Sequence, residues 1–335
     1  MRFRPRFLWA RSSFDSVQEP LGQVSSNPQA IATPPQMISI IVPTFRREAM
    51  LPPLFRAVEA EVGAQAVPVE LVLVDNSPEA SARAVAEQTT AFLRYVHEPR
   101  TGVAQARNRG VAEAKGSHII FLDDDELPVP GWLAAFTAVA ARGDLAVFGA
   151  VEPDYPEPPP PPLRRALDRV FSRRLPAASG QDVSHLRAYL GSGNSLFRRD
   201  VLALEDPPFD PAFDSGGEDV ALFRKLVDRH GIALIWCPEA QVREIVPQGR
   251  ATLAFLQRRR FSDGQLRCLV ESQRRSLRGR LRVGLWMGIG VAQVLLHGLA
   301  SLALRPFSAE RSIRHWLAAV GGAGKVMWWR RKSGQ

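Results

Sequence analysis

Residues 118–126 read HIIFLDDDE, a short apolar run that ends abruptly in four carboxylates. The stretch IIFL has no polar alternation, which describes a strand buried on both faces, as in parallel sheets covered by helices on either side. Sheets of that kind bind ligands outside the carboxyl ends of their strands. The run therefore places Asp123, Asp124 and Asp125 at a ligand-binding edge. Carboxylates crowded there repel one another unless a cation neutralises them, and hard oxygen donors suit a divalent ion bridging to a diphosphate. A solvated acidic loop would look the same in isolation, so the surrounding sequence decides.

Working outward, short apolar runs alternate with longer periodic segments. Strands are expected at 38–42, 69–74, 93–96, 118–122 and 145–151, with helices at 48–61, 79–90, 103–114 and 131–141. This alternation is the signature of parallel strands joined by crossover helices, so an α/β fold with a mostly parallel sheet is expected. Pro156 and the prolines at 158–162 read as a stiff extended connection that joins neither a helix nor a central strand. Beyond them come a turn-rich segment at 191–194, a helix at 218–230, a strand at 232–236 and a long helix from about Ala251. The expected organisation is a disordered leader over 1–36, a catalytic domain over 37–250 divided near 152, and a helical tail over 251–335.

The formal charge of +9 is unevenly placed. Residues 251–335 hold 16 Lys/Arg against 3 Asp/Glu, a balance of +13, whereas residues 1–250 hold 27 against 31, a balance of −4. Within the tail, residues 283–304 (VGLWMGIGVAQVLLHGLASLAL) are long enough to cross a bilayer. Gln293, His297 and Ser301 share one helix face, and arginines flank both ends, among them Arg278, Arg280, Arg282, Arg305 and Arg311. An in-plane or re-entrant helix on an anionic membrane surface, at the cytoplasmic face, is the expectation, with a transmembrane segment or a soluble helical hairpin packed against protein as the alternatives. The indoles and cations of WWRRK at 328–332 suit the same headgroup layer. Cys237 and Cys268 have no partner spacing for zinc or a disulfide framework.

Five segments in order, IVPTFRRE (41–48), LVLVDNS (71–77), TGVAQARNRG (101–110), FLDDDE (121–126) and FDPAFDSGGEDVALFRKL (209–226), resemble the family 2 glycosyltransferases. These are inverting enzymes of the GT-A fold that build bacterial polysaccharides and glycolipids, and the resemblance spans about 38–263. It implies a nucleotide-diphospho-sugar donor, a glycan or lipid-linked acceptor, and Mg²⁺ or Mn²⁺. Carried onto this chain, it assigns Pro43, Thr44, Arg46 and Asp75 to the nucleotide, and Arg107 and Asn108 to the nucleotide and its phosphates. Asp123 and Asp124 map to the ribose or sugar, and Asp125, with Asp123, to the metal. Asp219 is the implied catalytic base, with Glu218 the alternative; a carboxylate is wanted because the attacking hydroxyl must lose its proton. Asn194, in GSGNSLFRRD at 191–200, maps to the acceptor side. The segment QRRRF at 257–261 is similar to the Gln-x-x-Arg-Trp element of processive synthases, with Phe261 in place of Trp, and assigns Arg260, or alternatively Arg258, to the diphosphate. Glu244 stands where many members carry a metal-contacting His, so the segment 236–247 receives no metal role.

Competing classes are disfavoured by what the chain lacks. A nucleotidyltransferase would have a Gly-rich loop after the first strand, and PTFRRE has no glycine. No GxGxxG or Walker loop is present, which argues against dinucleotide oxidoreductases and P-loop enzymes. A nucleic-acid-binding role is not expected, because the cations of the tail interleave with an apolar run. A non-catalytic scaffold of the same fold is argued against by the intact DDD and GGED.

Overall fold

The first strand, β1 (Ile38–Thr44), is the hub on which the remaining chain is assembled. The computed structural model describes residues 34–88, 92–213, 216–272 and 277–330, which belong to one unit, Ala32–Gln335. The expected leader therefore lies, up to residue 33, outside the described residues. In chain order, β1 is followed by α1 (Leu51–Val62), β2 (Val69–Asp75), α2 (Arg83–Glu87), β3 (Leu93–His97), α3 (Val103–Glu113), β4 (His118–Phe121) and β5 (Glu126–Pro128). Then come α4 (Trp132–Ala141), β6 (Ala146–Asp154), α5 (Pro161–Phe171), β7 (Ser195–Arg198), α6 (Arg199–Leu202), α7 (Glu218–His230) and β8 (Ile235–Ile245). Three helices complete the chain: α8 (Leu253–Ser272), α9 (Leu277–Leu304) and α10 (Ala309–Val326).

The strands form one sheet in the order β3-β2-β1-β4-β7-β6-β8-β5. β1 pairs in parallel with β2 and β4, and β2 with β3. β7 is antiparallel to both β4 and β6, which makes β6 and its parallel neighbour β8 point the same way as β1. The carboxyl ends of β1, β2, β4, β6 and β8 therefore share one edge.

Alternation along β1 explains the layering. Ile38, Ile40 and Val42 pack with Leu54 and Phe55 of α1 and with Leu133 and Phe136 of α4. Ile41 faces the other way, with Ala104 and Ala106 of α3 and Leu222, Phe223 and Leu226 of α7. Both faces of the sheet are thus covered, as its uninterrupted apolar runs require. A third cluster joins Leu163, Leu167 and Phe171 of α5 to Leu256 of α8 and Leu317 of α10, so the C-terminal helices are packed directly onto the α/β part.

Several expectations are corrected. The proline run does enter a helix: Pro161 and Pro162 open α5, where the missing N–H groups have no intrahelical partner to lose. Among the described residues, the helix expected over 79–90 is reduced to α2, because Ala80 adopts φ 57° and the preceding turn is held by Asp75 and Ser77; residues 89 and 90 lie outside the described residues. The turn-rich segment after 191 leads into β7, four residues inserted antiparallel in the middle of the sheet. Nothing local marks so short a strand.

On α9, the shared face of Gln293, His297 and Ser301 meets protein. Gln293 accepts from Lys325 Nζ at 2.7 Å, His297 and His315 approach through their Nδ1 atoms at 2.8 Å, and Ser301 donates to the Ser312 carbonyl at 3.0 Å. The opposite face is left outward, with Leu281, Leu285, Leu295, Leu299 and Leu302 all exposed. By length and apolar composition α9 qualifies as a bilayer-crossing helix.

Candidate active site

The turn after β4 carries the acidic run, and its backbone is pinned from two sides. Leu122 N–H donates to the Ile41 carbonyl at 3.0 Å and Ile245 N–H to the Asp125 carbonyl at 2.7 Å, so β1 and β8 fix the turn. Thr44, the last residue of β1, donates its hydroxyl to Asp124 Oδ2 at 2.8 Å. Arg47, one turn further on, bridges Asp124 Oδ1 at 2.7 Å and Asp125 Oδ2 at 2.8 Å. Arg250 reaches the same Asp125 oxygen at 2.5 Å and Glu244 Oε1 at 3.2 Å. Its guanidinium lies over the rings of Phe171 and Phe255, 5.0 and 5.5 Å from their centroids.

The second half of the site is organised by Arg107 of α3. Buried, it donates to Asp123 Oδ1 at 3.1 Å and forms an ion pair with Glu218 Oε1, which opens α7. Glu218 Oε2 is buried without a hydrogen-bond partner among the described residues, as is Arg107 Nε. Beside it, Asp219 is half-buried, accepts from the Val220 N–H through Oδ1 at 2.6 Å, and directs Oδ2 toward Gly191. Gly193 forms the floor under the acids: a Cβ there would lie 2.5 Å from Asp123 Oδ2, so only glycine permits this approach.

Burial dominates the electrostatics. It pushes Asp124 up to about 6 against the pull of Arg47. Glu244 rises to about 8, first through burial and then through the neighbouring Asp125 charge. Glu218 rises to about 7 through burial and the adjacent Asp219, with Arg107 opposing. Glu126, which accepts the Asp123 N–H at 3.0 Å, is also held well above the carboxylate range, by burial and then by Asp123. Such displaced carboxyl groups gather where charge is handled.

The residues expected from sequence divide into two sets. Thr44, Arg107, Asp123, Asp124, Asp125, Glu218 and Asp219 converge at one edge, with Pro43 beside them in β1. The others are drawn elsewhere. Asp75 is fully buried and accepts from Ser77, the Ala82 N–H and the Tyr95 hydroxyl, so it shapes the turn after β2 instead of presenting its carboxylate. Asn108 clasps the backbone of Phe209 through both ends of its amide. Asn194, expected on the acceptor side, is fully buried, accepts from Trp132 Nε1 at 2.7 Å and donates to the carbonyls of Ala150 and Ala240. Arg46 pairs with Glu79 at the surface, and Arg260 with Asp263 along α8. Sequence reading missed Arg47, Glu126 and Arg250, and gave Glu244 no metal role. Arg47 and Glu126 stood beside chosen residues in RRE and DDDE, but no local motif flags Arg250.

Comparison with known proteins follows the same lines. The family model described as Glycosyl transferase family 2 matches residues 39–204. Over 234 residues the chain is 34% identical to the succinoglycan biosynthesis protein ExoM of Rhizobium meliloti (strain 1021), which takes in 68% of this chain and 73% of that protein. Over 165 residues it is 28% identical to the undecaprenyl-phosphate 4-deoxy-4-formamido-L-arabinose transferase of Pseudomonas fluorescens (strain Pf0-1), 47% of each. Among solved structures, the mannosyltransferase PcManGT from Pyrobaculum calidifontis, in complex with GDP-Man and Mn²⁺, aligns with a TM-score of 0.53 at 20% identity, covering 89% of both chains; this is a likeness of fold.

Proposed function

We propose, on the premise that the chain belongs to glycosyl transferase family 2 and is a glycosyltransferase, that it moves a sugar from a nucleoside-diphosphate donor to a glycan or lipid-linked acceptor by single displacement with inversion. The observation that carries this reading is Arg107 holding Asp123 and Glu218 together, which sets the acidic turn and the start of α7 at one reaction site. Asp219 is the base: one oxygen is tied to the Val220 N–H and the other is left to take the acceptor proton. Glu218 is the positioning residue, locked to Arg107 and buried away from an incoming hydroxyl.

The donor set suits an oxygen-seeking divalent cation. Asp123 Oδ2 accepts no hydrogen bond among the described residues and faces the open floor at Gly193. No three His, Cys, Asp or Glu side chains among the described residues form a complete cage, so the donor's own phosphate oxygens would fill out the shell, as is usual for Mg²⁺. Asp123 and Asp125 would hold Mg²⁺ or Mn²⁺, which when bound takes up charge on the departing diphosphate. The role of the relative in succinoglycan biosynthesis and the substrate named for the undecaprenyl-phosphate transferase support a polysaccharide or lipid-linked acceptor.

The outward leucines of α9, flanked by Arg278, Arg280, Arg282 and Arg305, support attachment to an anionic membrane surface at the cytoplasmic face. Flotation of the full chain with anionic vesicles, lost in Leu295→Glu/Leu299→Glu, tests this attachment; equal flotation of both proteins would refute it.

The test of the activity is a panel of UDP-, GDP- and dTDP-sugars with Mg²⁺ or Mn²⁺, comparing wild type with Asp219→Asn and Asp125→Ala. Metal-dependent binding of one donor, lost in Asp125→Ala and kept in Asp219→Asn with turnover reduced about 10²–10⁴-fold, is expected. Absence of binding by every donor would sink the catalytic reading.

A further inference from the structure

Two guanidinium groups, those of Arg47 and Arg250, converge on the single oxygen Oδ2 of Asp125, at 2.8 and 2.5 Å. One carboxylate oxygen does not need two charged donors, and each arginine already has a second acid, Asp124 for Arg47 and Glu244 for Arg250. Both are reachable from solvent, with side chains 41% and 24% exposed, unlike the buried Arg107. Arg173, the other buried arginine of the site, is committed to the carbonyls of Gly149, Gly191, Gly193 and Asn194.

Arg250 is also held in place independently of its acids. The rings of Phe171 and Phe255 stack on each other, centroids 5.5 Å apart at 14°, and the guanidinium lies over both. Those rings come from α5 and α8, so the orientation of the side chain is set by packing and persists if the anion in front of it is exchanged. A guanidinium fork fits phosphate oxygens as well as it fits carboxylate oxygens. Arg46 and Arg260, the arginines expected to serve the nucleotide, are engaged with Glu79 and Asp263.

We infer that Arg47 and Arg250 are the diphosphate-binding residues of this chain, held against Asp124, Asp125 and Glu244 in the unliganded state and transferred to phosphate oxygens when a nucleoside diphosphate enters. The inference rests on the donor reading given above. It involves an exchange of anionic partners, with no bond made or broken. It also gives the acidic turn a role before the donor arrives, since its acids pair both forks until phosphate oxygens replace them.

The experiment is calorimetric titration of the full chain, in Mg²⁺, with UDP and GDP and with uridine and guanosine. In Arg250→Lys, which keeps the charge and loses the fork, and in Arg47→Gln, diphosphate binding is expected to weaken about tenfold while binding of the matching nucleoside stays within about twofold. Equal losses for nucleoside and diphosphate, or none for the diphosphate, would overturn the assignment. A second measurement needs no substitution: inorganic pyrophosphate should slow phenylglyoxal modification of Arg47 and Arg250 in the wild type, read by peptide mass, and leave Arg46 unchanged. Unaltered rates at Arg47 and Arg250 would also overturn it. If pyrophosphate protects both arginines while no nucleoside or diphosphate binds, the donor reading fails and the anion site stands.

Discussion

Arg107 and Glu218 are 111 residues apart in the chain and form a buried ion pair that joins α3 to the start of α7 at the candidate active site. Removing one member of such a pair leaves an uncompensated charge in a dry environment, and the penalty exceeds what the pair itself contributes. At pH 8, where Glu218 is ionised, Arg107→Met should destabilise the fold by roughly 3–5 kcal/mol, and Arg107→Met/Glu218→Met should recover most of that loss. Urea unfolding of the two single variants, the double variant and wild type measures the coupling; additive losses would contradict a buried pair.

Glu218 also makes stability depend on pH. Its pKa is raised to about 7 by burial and by Asp219, above the ordinary 4.5, so the folded state retains a proton that the unfolded chain releases. The group's contribution is therefore fully present below about pH 4.5 and lost as pH rises through 7. Glu218→Gln should lose less stability than wild type between pH 5 and pH 8, with the difference read from urea midpoints at the two pH values. Parallel decline in both proteins would show that Glu218 is not the group responsible.

Asn194 should behave as a structural residue. Its amide satisfies Trp132 Nε1 and the carbonyls of Ala150 and Ala240, and it sits at φ 50°, where asparagine is tolerated better than most side chains. Asn194→Ala strands three buried polar groups, each costing about 1–3 kcal/mol. The expected result is a large drop in urea midpoint, and a variant of wild-type stability with a raised acceptor KM would instead favour acceptor contact.

The α9–α10 hairpin depends on two glycines. A Cβ at Gly322 would meet the Gly290 carbonyl at 2.6 Å and Gln293 Cβ at 2.9 Å, both on α9. Gly322→Val should force the helices apart at a cost of about 1–3 kcal/mol, seen as faster amide exchange across α9 with β1 and β4 unaffected. Unchanged protection in α9 would mean that the helices do not pack this closely in solution.

Much of this molecule was legible along the chain because the signals are local. The runs in β1, β2 and β4 have no polar alternation, so they announce parallel strands buried on both faces, and the polar residues that follow them fall at a common edge. DDDE and GGED, the arginine distribution, and the four-residue spacing of Gln293, His297 and Ser301 are equally short-range features. They settled the α/β class, the location of the acidic turn and the face of α9 that carries polar groups.

Side-chain partnership was decided by the tertiary structure, because it depends on which distant atoms the packing brings within hydrogen-bond reach. Arg46 and Arg47 are adjacent and chemically identical, yet one pairs with Glu79 at the surface and the other bridges Asp124 and Asp125. Asn108 and Asn194 carry the amide expected of sugar- or nucleotide-binding groups, and both are used up by buried backbone that would otherwise lack partners. β7 exists as a strand only because β4 and β6 leave a gap for it, and Arg250 meets Asp125 only because β8 returns beside β6 and delivers it to the edge where β4 ends. Periodicity and composition encode what a segment buries; register and topology select what each buried or charged atom touches.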